Sequence, residues 1–151
     1  MDEGGPAQLI KELFSLQEER IKIYQQLDQG HNVYLGTSPE YDFLTYRQVV
    51  HDCTEEFSRI SKRVITIEEL FQGAFHNAEI AKLIRKIQEN EQAKLQLTGQ
   101  LQIAKQRLQD DPGDLIEEEV TQLKHKISTT VSQIAELLQD LRYESEDLLM
   151  V

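Results

Sequence analysis

Only one cysteine, Cys53, occurs in 151 residues, so the chain can form neither an internal disulfide nor a cysteine-rich zinc site. Proline and glycine are also sparse, at 3 and 7, which argues against a turn-rich β-sandwich and against a disordered chain. Cations are outnumbered: 16 Lys and Arg face 27 Asp and Glu, for a net charge of -11. Such a surface repels phosphate backbones and anionic membranes, so direct nucleic-acid binding by the surface at large is disfavoured, although a localised basic face stays open. No run of about 18 apolar residues spans a membrane, and no basic start followed by an apolar stretch opens the chain. No membrane insertion is expected, and a nuclear or cytoplasmic location follows.

What the chain does have is heptad spacing. Tyr46, Val50, Cys53, Phe57, Ile60, Val64, Ile67 and Phe71 recur at alternating steps of four and three, the rhythm that keeps one helix face against a partner helix. A second seam runs through Ile116, Val120, Leu123, Ile127, Thr130, Ile134, Leu137 and Leu141. Cys53 sits on the first seam and reads as a buried small hydrophobe rather than a nucleophile. The seams occupy positions where an enzyme of this size would need convergent polar groups.

These patterns predict an all-α fold of four long amphipathic helices in a single helical domain over 6–143. Residues 1–5 read as a flexible tail and 144–151 as an acidic and apolar C-terminal tail. The first helix, about 6–35, starts at Pro6, whose missing N–H costs nothing in a first turn. Its stripe of Leu9, Leu13, Leu16, Ile23 and Leu27 is interrupted by Arg20, and Gly30 weakens it near its end. The second, about 42–72, is capped by Ser38 or Asp42 and ends at Gly73. The third, about 77–109, is capped by Asn77 and has the weakest seam, with Asn90 and Lys94 in heptad positions. Asp111-Pro112-Gly113 breaks it, and the fourth helix runs over about 114–143 from a capping-box-like Asp114 and Glu117. Short connections favour an antiparallel four-helix bundle, with extended coiled-coil helical hairpins as the rival. The rival would expose the seams and require a partner or a homodimer.

A di-iron bundle would carry inward Glu-x-x-His pairs, but Asp28, Gln48, Gly73 and Gln122 precede His31, His51, His76 and His125 by three residues. No metal, no cofactor and no catalytic residue are therefore expected, and the chain reads as no enzyme. Two clusters are candidates for binding. Arg59, Lys62 and Arg63 before the Gly73 turn, and Lys82, Arg85 and Lys86 after it, would gather at one level of an antiparallel hairpin. They form either a basic patch for an acidic partner or a solvated face balanced by neighbouring glutamates. His31, Tyr34, Tyr41, Asp42, Phe43, Tyr46 and Arg47 crowd the first connection. Aromatic residues beside an arginine have the composition of a protein-binding hot spot, and equally of rings that close a bundle end.

At these residues the sequence resembles the Required for excision 1-B domain family. Leu27-Asp28-Gln29-Gly30-His31, Tyr34-Leu35, Tyr41-Asp42-Phe43, Tyr46-Arg47 and Val50-His51 carry the resemblance, with a second block from Glu136 through Leu141-Arg142-Tyr143. It spans about 8–71 and 118–146; between 73 and 115 only a helical pattern is shared. The resemblance implies a small helical protein linked to excision repair of DNA, with no catalytic motif and no active residues to carry over. The resulting expectation is a non-catalytic helical protein-interaction module, an accessory factor in repair, whose protein partner the sequence does not identify. The alternative is a coiled-coil scaffold subunit of a cytoskeletal or trafficking complex, which the heptads permit equally.

Overall fold

The computed structural model describes residues 4–150 and is all-α, with no strand among the described residues. The N-terminal tail expected over 1–5 lies, for residues 1–3, outside them, as does residue 151 of the C-terminal one. Four long helices, α1 (Pro6–Leu35), α2 (Phe43–Gln72), α3 (Ala78–Asp110) and α4 (Asp114–Glu144), are followed by a single turn, α5 (Glu146–Leu149).

Local chemistry accounts for the ends. Pro6 opens α1 behind Gly5, and the Gly36 N–H closes it on the Asn32 carbonyl at 3.1 Å. Of the two possible caps on α2, Asp42 is the one used, its carboxylate accepting from the Thr45 N–H at 3.2 Å. At its far end Gly73 donates to the Glu69 carbonyl and the Asn77 N–H reaches back to Phe71 at 2.8 Å. His76 between them takes the left-handed φ of 49°, and the Asn77 side chain then caps α3 through the Ile80 N–H.

The described residues divide into two compact units, 4–85 with 141–150, and 86–140. In the first, α1 and α2 form an antiparallel hairpin, with Glu12 meeting Arg63, Glu19 meeting Arg59 and Ile23 meeting Cys53. Leu9, Ile10, Leu13, Ile60, Val64, Ile67, Phe71, Ile80, Ile84 and Leu141 are its fully buried apolar side chains. Arg20, which breaks the apolar stripe of α1, is buried with it. Its guanidinium donates to Gln17 Oε1 at 2.5 Å and to Ser61 Oγ of α2 at 3.5 Å, a polar layer inside the hairpin. Ser145 is also fully buried, its hydroxyl turned back on the Leu141 carbonyl at 2.6 Å, and α5 packs against α1.

In the second unit α3 returns antiparallel as α4. Ala104, Val120 and Leu123 are buried there, with Leu97, Leu101, Leu108 and Ile116 packed around them. The buried polar residues of α3 are Gln88, Glu91, Thr98 and Gln102, whereas Asn90 and Lys94 are half-buried. Thr98 and Thr130 satisfy their hydroxyls on the carbonyls of Lys94 and Lys126, one turn back.

Candidate functional site

The closed end of the first hairpin is built from the last turn of α1, the 36–42 connection and the first turns of α2. His31 and Tyr34 lie three residues apart on the buried face of α1, at 3% and 7% exposure. The Tyr34 ring stacks with two others, Tyr41 at 4.8 Å and Tyr46 at 4.6 Å between centroids. His31 completes the stack against Tyr46 at 5.4 Å and Tyr34 at 6.0 Å. These centroid separations are those of favourable aromatic pairs, each contributing about 0.5–1.5 kcal/mol beyond its buried area.

The connection is laced to the same rings. Thr37 Oγ1 donates to the Tyr34 carbonyl at 2.6 Å and accepts from the Asp42 N–H at 2.9 Å. Asp42 in turn accepts from the Thr45 hydroxyl at 2.7 Å as well as from its amide. The Thr45 hydroxyl, then its N–H, holds the Asp42 carboxyl below the usual range, so it is ionised at neutral pH. Burial, with Tyr34 adjacent, pushes the Tyr46 phenol up to about 12, so it remains protonated and no phenolate is available.

Of the seven residues the sequence marks at this connection, the structure therefore brings His31, Tyr34, Tyr41 and Tyr46 into one stack and uses Asp42 as a helix cap. Phe43 and Arg47 face solvent on the first two turns of α2, Phe43 at 57% exposure. Leu44, at 75%, is exposed beside them and was not among the sequence candidates. Its signal was available: the α2 seam passes through positions 46, 50 and 53, so an apolar residue at 44 falls off it.

The basic residues behave differently. Arg63 grips Glu12 with two hydrogen bonds, Nε to Oε2 at 2.5 Å and a second nitrogen to Oε1 at 2.9 Å. Arg59 bridges Glu19 and Glu56 at 3.1 and 3.0 Å, and Arg85 reaches Glu68 at 3.2 Å. These three guanidiniums fasten helices to one another and are matched by carboxylates. Lys62 and Lys82 are exposed, and Lys86 belongs to the second unit. Glu12 and Glu19, the partners from α1, could not be foreseen from spacing within α2 and α3.

Among the described residues, no group of three or more His, Cys, Asp or Glu side chains is gathered to hold a metal ion, and no helix is long and apolar enough to cross a membrane.

The chain matches the DNA repair REX1-B family over residues 8–105, a span that holds nearly all of α1, the aromatic connection, α2 and most of α3. It is 35% identical over 142 residues to the Required for excision 1-B domain-containing protein of Mus musculus, covering 93% of this chain and 81% of that one. To the protein of the same name from Bos taurus it is 32% identical over 139 residues, 92% of this chain and 76% of the relative. No solved structure matches it. With that coverage and identity, the chain belongs to the DNA repair REX1-B family.

Proposed function

We propose that this protein is a non-catalytic interaction module, an accessory factor in DNA excision repair, that binds a partner protein through the exposed rim of its aromatic connection. The observation that carries the reading is the contrast at the start of α2. Phe43 and Leu44 stand out in solvent beside Arg47 while four rings beneath them are locked in a stack. Exposed apolar side chains next to an arginine on a fixed scaffold have the character of interface anchors. The repair assignment comes from the name of the family and the names of the relatives. Contact with protein rather than DNA is supported by the net charge of -11 and by the carboxylate partners of Arg59, Arg63 and Arg85. A nuclear site of action follows from the repair role.

The test replaces Phe43 by serine and Arg47 by glutamate together, since neither belongs to the stack. An unchanged thermal melt confirms folding, and tagged wild-type and variant chains are then recovered from cells for mass spectrometry. Repair proteins recovered with the wild type and lost with the variant support the proposal. Equal recovery by both refutes the surface, and recovery of cytoskeletal or trafficking proteins in their place refutes the repair role.

A further inference from the structure

A second surface of the first unit lies between α1 and α2, below the aromatic connection. Here Gly30 replaces a side chain. A Cβ at that position would come within 2.7 Å of Val49 Cγ1, so the valine packs directly on the α1 backbone. The exposed side of this contact is a groove of about 410 Å³ lined by Gly30, Val33, Val49 and Cys53, with Gln29 and Asp52 on its rim. Val33 is 58% exposed there. A smaller pocket of about 20 Å³, lined by Gly30, Val33, Thr45 and Asp42, continues it toward the start of α2.

Charge marks both ends. Asp42 lines the upper pocket and Asp52 the lower groove, ten residues apart along α2, or about 15 Å. Beyond Asp52 the same side of the hairpin carries Glu19 and Glu56 on either side of the single guanidinium of Arg59. Lys22, one turn before Gln26 on α1, is the cation that opposes them.

We infer that this groove is the docking surface for a basic amphipathic helix of a partner protein. An apolar trough between two antiparallel helices accepts a third helix, whose side chains at i, i+3, i+4 and i+7 fill it. The carboxylates at its ends select lysine or arginine about ten positions apart on that helix, and reject acidic segments. A second copy of this chain, at a net charge of -11, and a nucleic acid are both repelled by the same carboxylates. The inference rests on the reading of the protein as an interaction module, but on a different face. Thr45, Val49 and Asp52 follow one another at helical spacing, and Phe43 and Arg47 are displaced from that line by two residues, about 200° around α2.

The experiment uses the full chain and two fluorescein-labelled synthetic helices of about eighteen residues, roughly five turns, with the same apolar stripe. One is flanked by lysines and the other by glutamates, and binding is read by fluorescence anisotropy. The lysine-flanked peptide should bind saturably, and the glutamate-flanked one about tenfold more weakly or less. Val33→Asp should remove binding, and Asp52→Lys should invert the preference in favour of the glutamate-flanked peptide. That inversion is a gain of affinity, which an unfolded variant cannot show. Phe43→Ser should leave binding unchanged. Equal affinity for the two peptides, or undiminished binding to Val33→Asp, overturns the inference. So does a short DNA duplex that binds as tightly at the same salt, or a dimer that Val33→Asp dissociates. Binding lost only in Phe43→Ser overturns the groove while leaving the proposed anchor surface in place.

Discussion

Alanine at position 30 should destabilise the protein, whereas in an unhindered helix interior the same exchange stabilises it. Propensity alone favours alanine over glycine by about 0.8–1 kcal/mol. At Gly30, however, the new methyl would meet Val49 Cγ1 at 2.7 Å and its Cβ and Cγ2 at 3.3 Å. Val49 is β-branched, with one strongly preferred rotamer in a helix, so it cannot rotate aside and the helices must part. Overpacking of that kind costs about 1–3 kcal/mol, which leaves a net loss of up to about 2 kcal/mol. Gly99 is the internal control: it too lies inside a helix, and nothing stands within 4 Å of its would-be Cβ. Gly99→Ala should therefore raise stability by up to about 1 kcal/mol. In a chain of this size each kcal/mol moves the melting temperature by about 2–4 °C, so circular dichroism melts will separate the two variants. Truncating the obstacle in the double variant Gly30→Ala/Val49→Ala should show favourable coupling between the sites. If Gly30→Ala melts as high as Gly99→Ala, the close approach of α1 and α2 is not a constraint and the reasoning fails.

Further outcomes follow from the same geometry. Tyr34→Ala and Phe57→Ala should each cost about 3–5 kcal/mol in urea unfolding, because both rings are buried at 7% exposure. Phe43→Ala should stay within about 0.5 kcal/mol, and a large loss there would make Phe43 part of the structural stack. The hydrogen bond from Arg63 holds the Glu12 carboxyl below its ordinary 4.5. That contribution is present above the unfolded-state pKa and lost as pH falls through the folded one, so Glu12→Gln should flatten the fall in melting temperature between about pH 5 and 3. An identical pH profile for the two proteins would refute it. Cys53 is 3% exposed, and burial raises its thiol, with Asp52 adding to the shift. An aromatic disulfide reagent at about pH 8 should thus label it far more slowly in the native protein than in denaturant, and equal rates would place it at the surface.

The helices were legible because every signal for them is local. The α2 seam from Cys53 to Phe71 is buried residue for residue, and Asp42, Gly73 and Asn77 end or begin helices where turn chemistry places them. What spacing could not supply was the partner across the hairpin. Gly30 looks like a weak point of α1 until Val49 is seen against it, and Arg20 looks like a break in the stripe until Gln17 and Ser61 are found around its guanidinium. The basic cluster shows the same limit. Counting from Gly73 aligns the cations of α2 and α3, yet Glu12 and Glu19 come from α1, about fifty and forty residues earlier in the chain. At the aromatic connection the sequence found the residues but could not divide them, because burial of Tyr34 and exposure of Phe43 depend on which helix face meets α1.

That division has a consequence for binding. A partner that docks on mobile side chains must order them, at about 0.5–1.5 kcal/mol for each immobilised one. Phe43 and Leu44 occupy a helix entry already fixed by the Asp42–Thr45 cap and by Thr37, which ties the connection to the Tyr34 carbonyl. The rings packed there resist tilting of that entry, since Tyr34 is stacked on both Tyr41 and Tyr46. Under the proposed reading the aromatic stack would serve folding and recognition at once, and the two should separate by position: substitutions at Tyr34 or Tyr46 should act on stability first, substitutions at Phe43, Leu44 or Arg47 on association. The groove over Gly30 follows the opposite logic, formed by a side chain that is missing rather than by ones that are stacked. Because the two surfaces lie on different sides of α2, a partner anchored at the connection leaves the groove free for a second helix, from the same partner or another.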